Sequence, residues 1–79
     1  MIGISDDYAS IDVSGISFYY GYEETNENGE WLFAIRKDGN LLFSIPNSKL
    51  ENTNTCEEAL LCGIEKAILK GVISVKKAY

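Results

Sequence analysis

Residues 8 to 13 (YASIDV) alternate between apolar and polar side chains, with Ala9, Ile11 and Val13 on one side and Ser10 and Asp12 on the other. That period of two predicts a half-buried strand. Ser14-Gly15 predicts a two-residue turn, after which residues 16 to 23 alternate again with Ile16, Phe18, Tyr20 and Tyr22 on one face. Such a turn pairs Val13 with Ile16, Ile11 with Phe18 and Ala9 with Tyr20. Both strands then put their apolar residues on the same face, an agreement that a one-residue slip would destroy. The TNENG segment predicts a loop, tightest at Asn28-Gly29.

The next hairpin poses a choice between two loops. A bare Asp38-Gly39 loop sets Ile35 against Leu42 and Phe33 against Ser44, which mixes polar and apolar residues on both faces. A three-residue Lys37-Asp38-Gly39 loop, with Gly39 left-handed and a bulge, pairs Ile35 with Leu41, Phe33 with Phe43 and Trp31 with Ile45. The pattern selects the second, with strands at 30 to 36 and 40 to 45, and Pro46 ends the latter. After a polar connection, Thr55 and Glu58 form a Thr-x-x-Glu capping box that starts a helix over 56 to 70. Leu60, Leu61, Ile64, Ala67 and Ile68 make its apolar stripe, and Gly71 is placed to cap its end. The β-branched tail VISVKK predicts a short last strand. Together these elements specify an α+β fold: a four-stranded antiparallel meander, one helix packed across its apolar face, and a short C-terminal strand joining an edge.

The chain has 79 residues, 46% of them hydrophobic. At that length roughly 60 to 65% of the unfolded surface can be buried, which allows one core and one domain over residues 1 to 79. No apolar run approaches the roughly 18 residues of a membrane span, and MIGISDDYAS is acidic where a signal peptide is basic and then apolar. A cytoplasmic location with no membrane partner is expected. Cys56 and Cys62, six apart on the helix, stand roughly 240° apart around its axis and cannot form a disulfide with each other. Charge is uneven. Residues 1 to 30 hold seven acids, Asp6, Asp7, Asp12, Glu23, Glu24, Glu27 and Glu30, and no base, whereas residues 31 to 79 hold five acids and seven bases. An acidic surface repels nucleic acid and attracts basic partners.

Three constellations could carry chemistry. Asp12 with Glu57 or Glu58, on strands followed by a helix with an early acid, resembles the opening half of ribonuclease H-like nucleases, which hold two metal ions on several carboxylates. The acid expected after the next strand is absent, because Lys76, Lys77, Ala78 and Tyr79 stand there, so Asp12 reads as a solvent-facing strand residue. The two thiols on different sides of one helix, with no histidine anywhere, supply neither a metal site nor an activated nucleophile. Cys62, with Ala59 and Leu69, instead marks a second apolar strip on the outer helix face, a possible second interface and a route to a homodimer. Among Tyr8, Tyr19, Tyr20, Tyr22 and Trp31, the core accounts for Tyr20 and Trp31. Tyr19, beside Ser17 and Glu23 on the opposite face, is the aromatic expected at the surface. A base-stacking role would come with a basic groove, and these strands are acidic, so direct nucleic-acid binding is not expected.

With no histidine, no complete metal cluster and no glycine-rich phosphate loop, neither catalysis nor a cofactor is expected. The expected function is non-enzymatic protein binding. Asp6, Asp7, Asp12, Tyr19, Glu23, Glu24 and Glu27 form an acidic, tyrosine-bearing surface that docks onto a basic site of a partner. In size, acidity and lack of catalytic residues the chain resembles small phage or mobile-element inhibitors, including anti-CRISPR proteins. That resemblance implies a nucleic-acid-binding complex as the partner, its phosphate-binding lysines and arginines occupied by these acids. A small sheet with one packed helix also resembles the partial ribonuclease H-like fold of HicB antitoxins, and a structural homo-oligomer is the third reading.

Overall fold

A computed structural model describes every residue except Asn52 and residues 74–79. Five strands, β1 (Ile2–Ile4), β2 (Tyr8–Val13), β3 (Ile16–Thr25), β4 (Trp31–Lys37) and β5 (Asn40–Pro46), form one antiparallel sheet in sequence order. A single turn of 3-10 helix (Asn47–Lys49) leads to α1 (Cys56–Leu69), which lies over β2, β3 and β4. The fold is α+β, and its fifth strand is the N-terminal β1. The strand predicted in VISVKK falls mostly outside the described residues; Val72 and Ile73 pack against the core as irregular chain.

The β2–β3 register agrees with the alternation: Val13 faces Ile16, Ile11 faces Phe18 and Ala9 faces Tyr20. The turn between them has φ of 52° at Ser14 and 79° at Gly15, the two left-handed residues whose twist matches that of the flanking strands.

The β4–β5 hairpin corrects the prediction. Asp38 and Gly39, at φ 50° and 85°, form a two-residue turn that pairs Lys37 with Asn40 and Arg36 with Leu41. A bulge at Leu42 then restores the phase, so Ile35 faces Phe43 and Phe33 faces Ile45. The extra residue that keeps apolar side chains inward lies in the strand and not in the loop. Leu41 consequently shares the outer face with Arg36 and is 54% exposed.

Ala9, Tyr20, Phe33, Ile35 and Ile45 from the sheet and Leu50, Cys56, Ala59, Leu60 and Ala67 make the core. The helix stripe is rotated from the predicted one. Cys56, Ala59, Leu60, Gly63 and Ala67 are buried, while Leu61 is 54% and Ile68 37% exposed. The cause is Phe33: a Cβ on Gly63 would stand within 2.6 Å of three Phe33 ring atoms, so the helix backbone rests directly on that ring. The sheet supplies the bulk, and the helix presents its small residues to it. Thr55 caps the first turn by accepting from Glu58 N–H at 3.1 Å. At the other end Gly71 N–H donates to Ile68 and Val72 N–H to Ala67, the paired bonds that close a helix on a left-handed residue.

Candidate acidic and aromatic surface

The outer face of the sheet, opposite the helix, carries Tyr8, Ser10 and Asp12 from β2 and Ser17, Tyr19 and Gly21 from β3. Tyr8 and Tyr19 stack there with ring centroids 6.3 Å apart and planes 5° apart. Two glycines make the room. The Tyr8 ring lies over Gly3, where a Cβ would approach it to 3.1 Å. A Cβ on Gly21 would come within 2.7 Å of Tyr8 Cβ and 2.8 Å of the Tyr19 hydroxyl. Asp7 carbonyl oxygen stands closer still, at 2.5 Å, so any larger residue at position 21 would push apart the β1–β2 connection and the tyrosine pair together.

Beyond Gly21 the β3 register breaks: Gly21 faces Leu32 and Thr25 faces Trp31, leaving Tyr22, Glu23 and Glu24 looped out of the ladder. The Tyr19 hydroxyl accepts from Glu23 N–H at 3.3 Å, and Asp7 carbonyl oxygen accepts from Tyr22 N–H at 3.1 Å. This bulge therefore ties Asp7, Tyr19, Tyr22 and Glu23 into one surface. Burial pushes the Tyr19 hydroxyl pKa up; the Glu23 amide opposes this, and Glu23, Tyr22 and Glu24 add to it through their charge.

The expected acids divide. Asp6, Asp7, Glu23 and Glu27 are exposed and, among the described residues, in no ion pair. They lie at the end of the sheet that holds the β1–β2 and β3–β4 connections. Glu24 folds back onto Arg36, which donates to both of its carboxylate oxygens, so its charge is balanced within the chain. Asp12 is exposed on the same face but four residues along β2 from Tyr8, roughly 13 Å away. It stands opposite Ser17 on the face turned away from α1, so the structure does not bring it together with Glu57 or Glu58.

The placement of three further acids, Glu30, Glu57 and Glu58, had no signal in the local sequence. Cys56 Sγ donates to Asp6 carbonyl oxygen at 3.4 Å, which brings the first helical turn, with exposed Glu57 and Glu58, to this same end. Burial pushes the Cys56 thiol up, with Asp7 and Asp6 adding to the shift. Glu30 is the hub of the β3–β4 loop. One carboxylate oxygen accepts from Asn26 at 3.1 Å and the other from Ser48 N–H at 2.6 Å, and Ser48, through its side chain first and its backbone second, holds the Glu30 carboxyl below the ordinary range.

The second predicted strip does not form as expected. Ala59 is fully buried in the core and offers no outer surface, because the helix turns its small residues toward Phe33. Cys62 is half-buried, accepts from Glu51 N–H at 3.4 Å, and lines a shallow groove with Glu51, Glu58, Leu61 and Glu65. Leu69 is 77% exposed. Among the described residues no helix is long and apolar enough to cross a membrane. The chain matches no protein-family model, no curated protein and no solved structure.

Proposed function

We propose that the chain is a non-enzymatic protein-binding protein, an inhibitor that sets this acidic, tyrosine-bearing end against a basic site of a partner protein. The observation that carries the reading is the Tyr8–Tyr19 stack beside Asp6, Asp7, Tyr22 and Glu23, whose carboxylates no described basic side chain balances. Tyrosine buries a large area at low entropic cost, and unbalanced acids steer a basic partner through their field. Glu27, Glu57 and Glu58 extend that field, and Asp12 lies at its margin. A nucleic-acid-binding complex, with lysines and arginines arrayed for phosphate, supplies the matching surface in the cytoplasm.

Crosslinked capture from a cell lysate, followed by binding kinetics with the identified protein, tests this. A partner with a basic site is expected, and Glu23→Lys with Glu27→Lys should slow its association and flatten the salt dependence. Tyr19→Ala should chiefly speed dissociation, by about 1 to 3 kcal/mol in effect. Unchanged kinetics in both variants would refute the assignment.

A further inference from the structure

β1 is an edge strand with an unusual lack of protection. Met1 and Asp12 exchange both backbone bonds, and Ser5 N–H donates to Tyr8 carbonyl oxygen at 2.8 Å. Antiparallel bonding alternates along a strand, so Met1, Gly3 and Ser5 bond to β2, while the N–H and C=O of Ile2 and Ile4 point outward. Among the described residues those four groups have no partner. On the inner face Ile2 is 68% and Ile4 54% exposed, because α1 lies over β2, β3 and β4 and leaves β1 uncovered. The strand itself, Ile-Gly-Ile, carries no charge and no proline. The opposite edge, β5, has both a bulge at Leu42 and a terminal Pro46, devices that block strand addition.

We propose that β1 is the docking edge of this protein, and that it receives an extended segment of the partner in which apolar and basic residues alternate. The inference rests on the proposed acidic docking surface and specifies how it engages. Residues of the added strand that face Ile2 and Ile4 lie on the inner side and are apolar, where they cover both isoleucines. The residue facing Gly3 lies on the outer side, where Gly3 has no side chain and the Tyr8 ring spans the gap. A lysine or arginine there meets the ring face, with Asp6 and Asp7 at the end of the strand. Antiparallel pairing of two β1 strands sets the acidic end of each beside the Met1 end of the other, so a second copy on this edge is read out as protection of Ile2 and Ile4 in the protein without peptide.

The test uses the full chain and three capped seven-residue peptides. They are Lys-Val-Lys-Val-Lys-Val-Lys, the same peptide N-methylated at its valines, and its Glu-for-Lys counterpart. In the lysine peptide the valine N–H groups are the ones that bond to Ile2 and Ile4. Amide NMR should show Ile2 and Ile4 unprotected from exchange in the free protein and protected with the lysine peptide. N-methylation should weaken binding at least about tenfold, and so should the glutamate exchange. Equal binding of the N-methylated and lysine peptides, with the glutamate peptide still weaker, would overturn strand addition and leave acidic docking standing. Equal binding of glutamate and lysine peptides would overturn both. Protection of Ile2 and Ile4 in the free protein, or no binding at millimolar lysine peptide, would overturn the edge assignment.

Discussion

Replacing Gly63 with alanine sets two opposing effects against each other at one atom. Alanine is the better helix former by about 0.8 to 1.0 kcal/mol, so at an exposed helical position the change would stabilise the fold. Here the added Cβ would lie within 2.6 Å of three atoms of the Phe33 ring, against an ordinary carbon contact of about 3.5 to 4.0 Å. The helix and sheet must separate by roughly 1 Å, or the ring must turn. The ring has little freedom: Phe33 is fully buried and packs edge-on against Phe43 with centroids 6.3 Å apart. Forced overpacking of this kind costs about 1 to 3 kcal/mol, and separating the layers also weakens the Ala59 and Ala67 contacts. The net expectation is a loss of up to about 2 kcal/mol in place of the gain expected at an exposed site, which in so small a domain lowers Tm by up to roughly 16 °C. Urea unfolding followed by circular dichroism measures it directly. In a Phe33→Ala background, which lacks the Cγ, Cδ1 and Cδ2 atoms that clash, Gly63→Ala should no longer destabilise the fold. A Gly63→Ala variant more stable than its parent would mean that the helix does not rest on Phe33, and the helix rotation described above would be wrong.

Ile64 is half-buried at the side of the stripe, so Ile64→Ala should cost about 1 to 2 kcal/mol in urea unfolding, below the 2 to 5 typical of full burial. A loss above about 3 kcal/mol would place it at the centre of the interface. Glu30 contributes a pH dependence. Its folded carboxyl titrates below the ordinary 4.5, so its support of the loop is fully present above that pH and is lost as pH falls through the lower folded value. The difference in urea midpoint between the parent and Glu30→Gln should therefore shrink on acidification below about pH 4.5, and a constant difference would refute the Ser48 bond as its source.

The β2–β3 hairpin is legible residue by residue because a strand of period two must keep every apolar side chain on one face. Once Ser14-Gly15 is recognised as a two-residue turn, only one register does so. The ends of α1 are legible for a similar local reason: Thr55 and Gly71 satisfy backbone groups a few residues away and need no tertiary partner. The acidity of residues 1 to 30 is likewise written in the chain. What lies beyond local rules was settled by packing. Hydrophobicity alone ranks Leu61 and Ile68 above Ala59 and Gly63, yet the bulky ring of Phe33 admits only the small residues, so the helix turned. The β4–β5 bulge keeps apolar side chains on their proper face at the cost of a ladder bond, whereas the β3 bulge turns Tyr22 out of the predicted apolar face to 52% exposure, and the positions of both depend on which partner strand is present. β1 is three residues long, too short for any periodic signal, and becomes a strand only because β2 offers it an edge. Tyr8 joined Tyr19, and Glu57 and Glu58 joined the acidic end, through contacts spanning up to 50 residues of sequence, which no local pattern encodes.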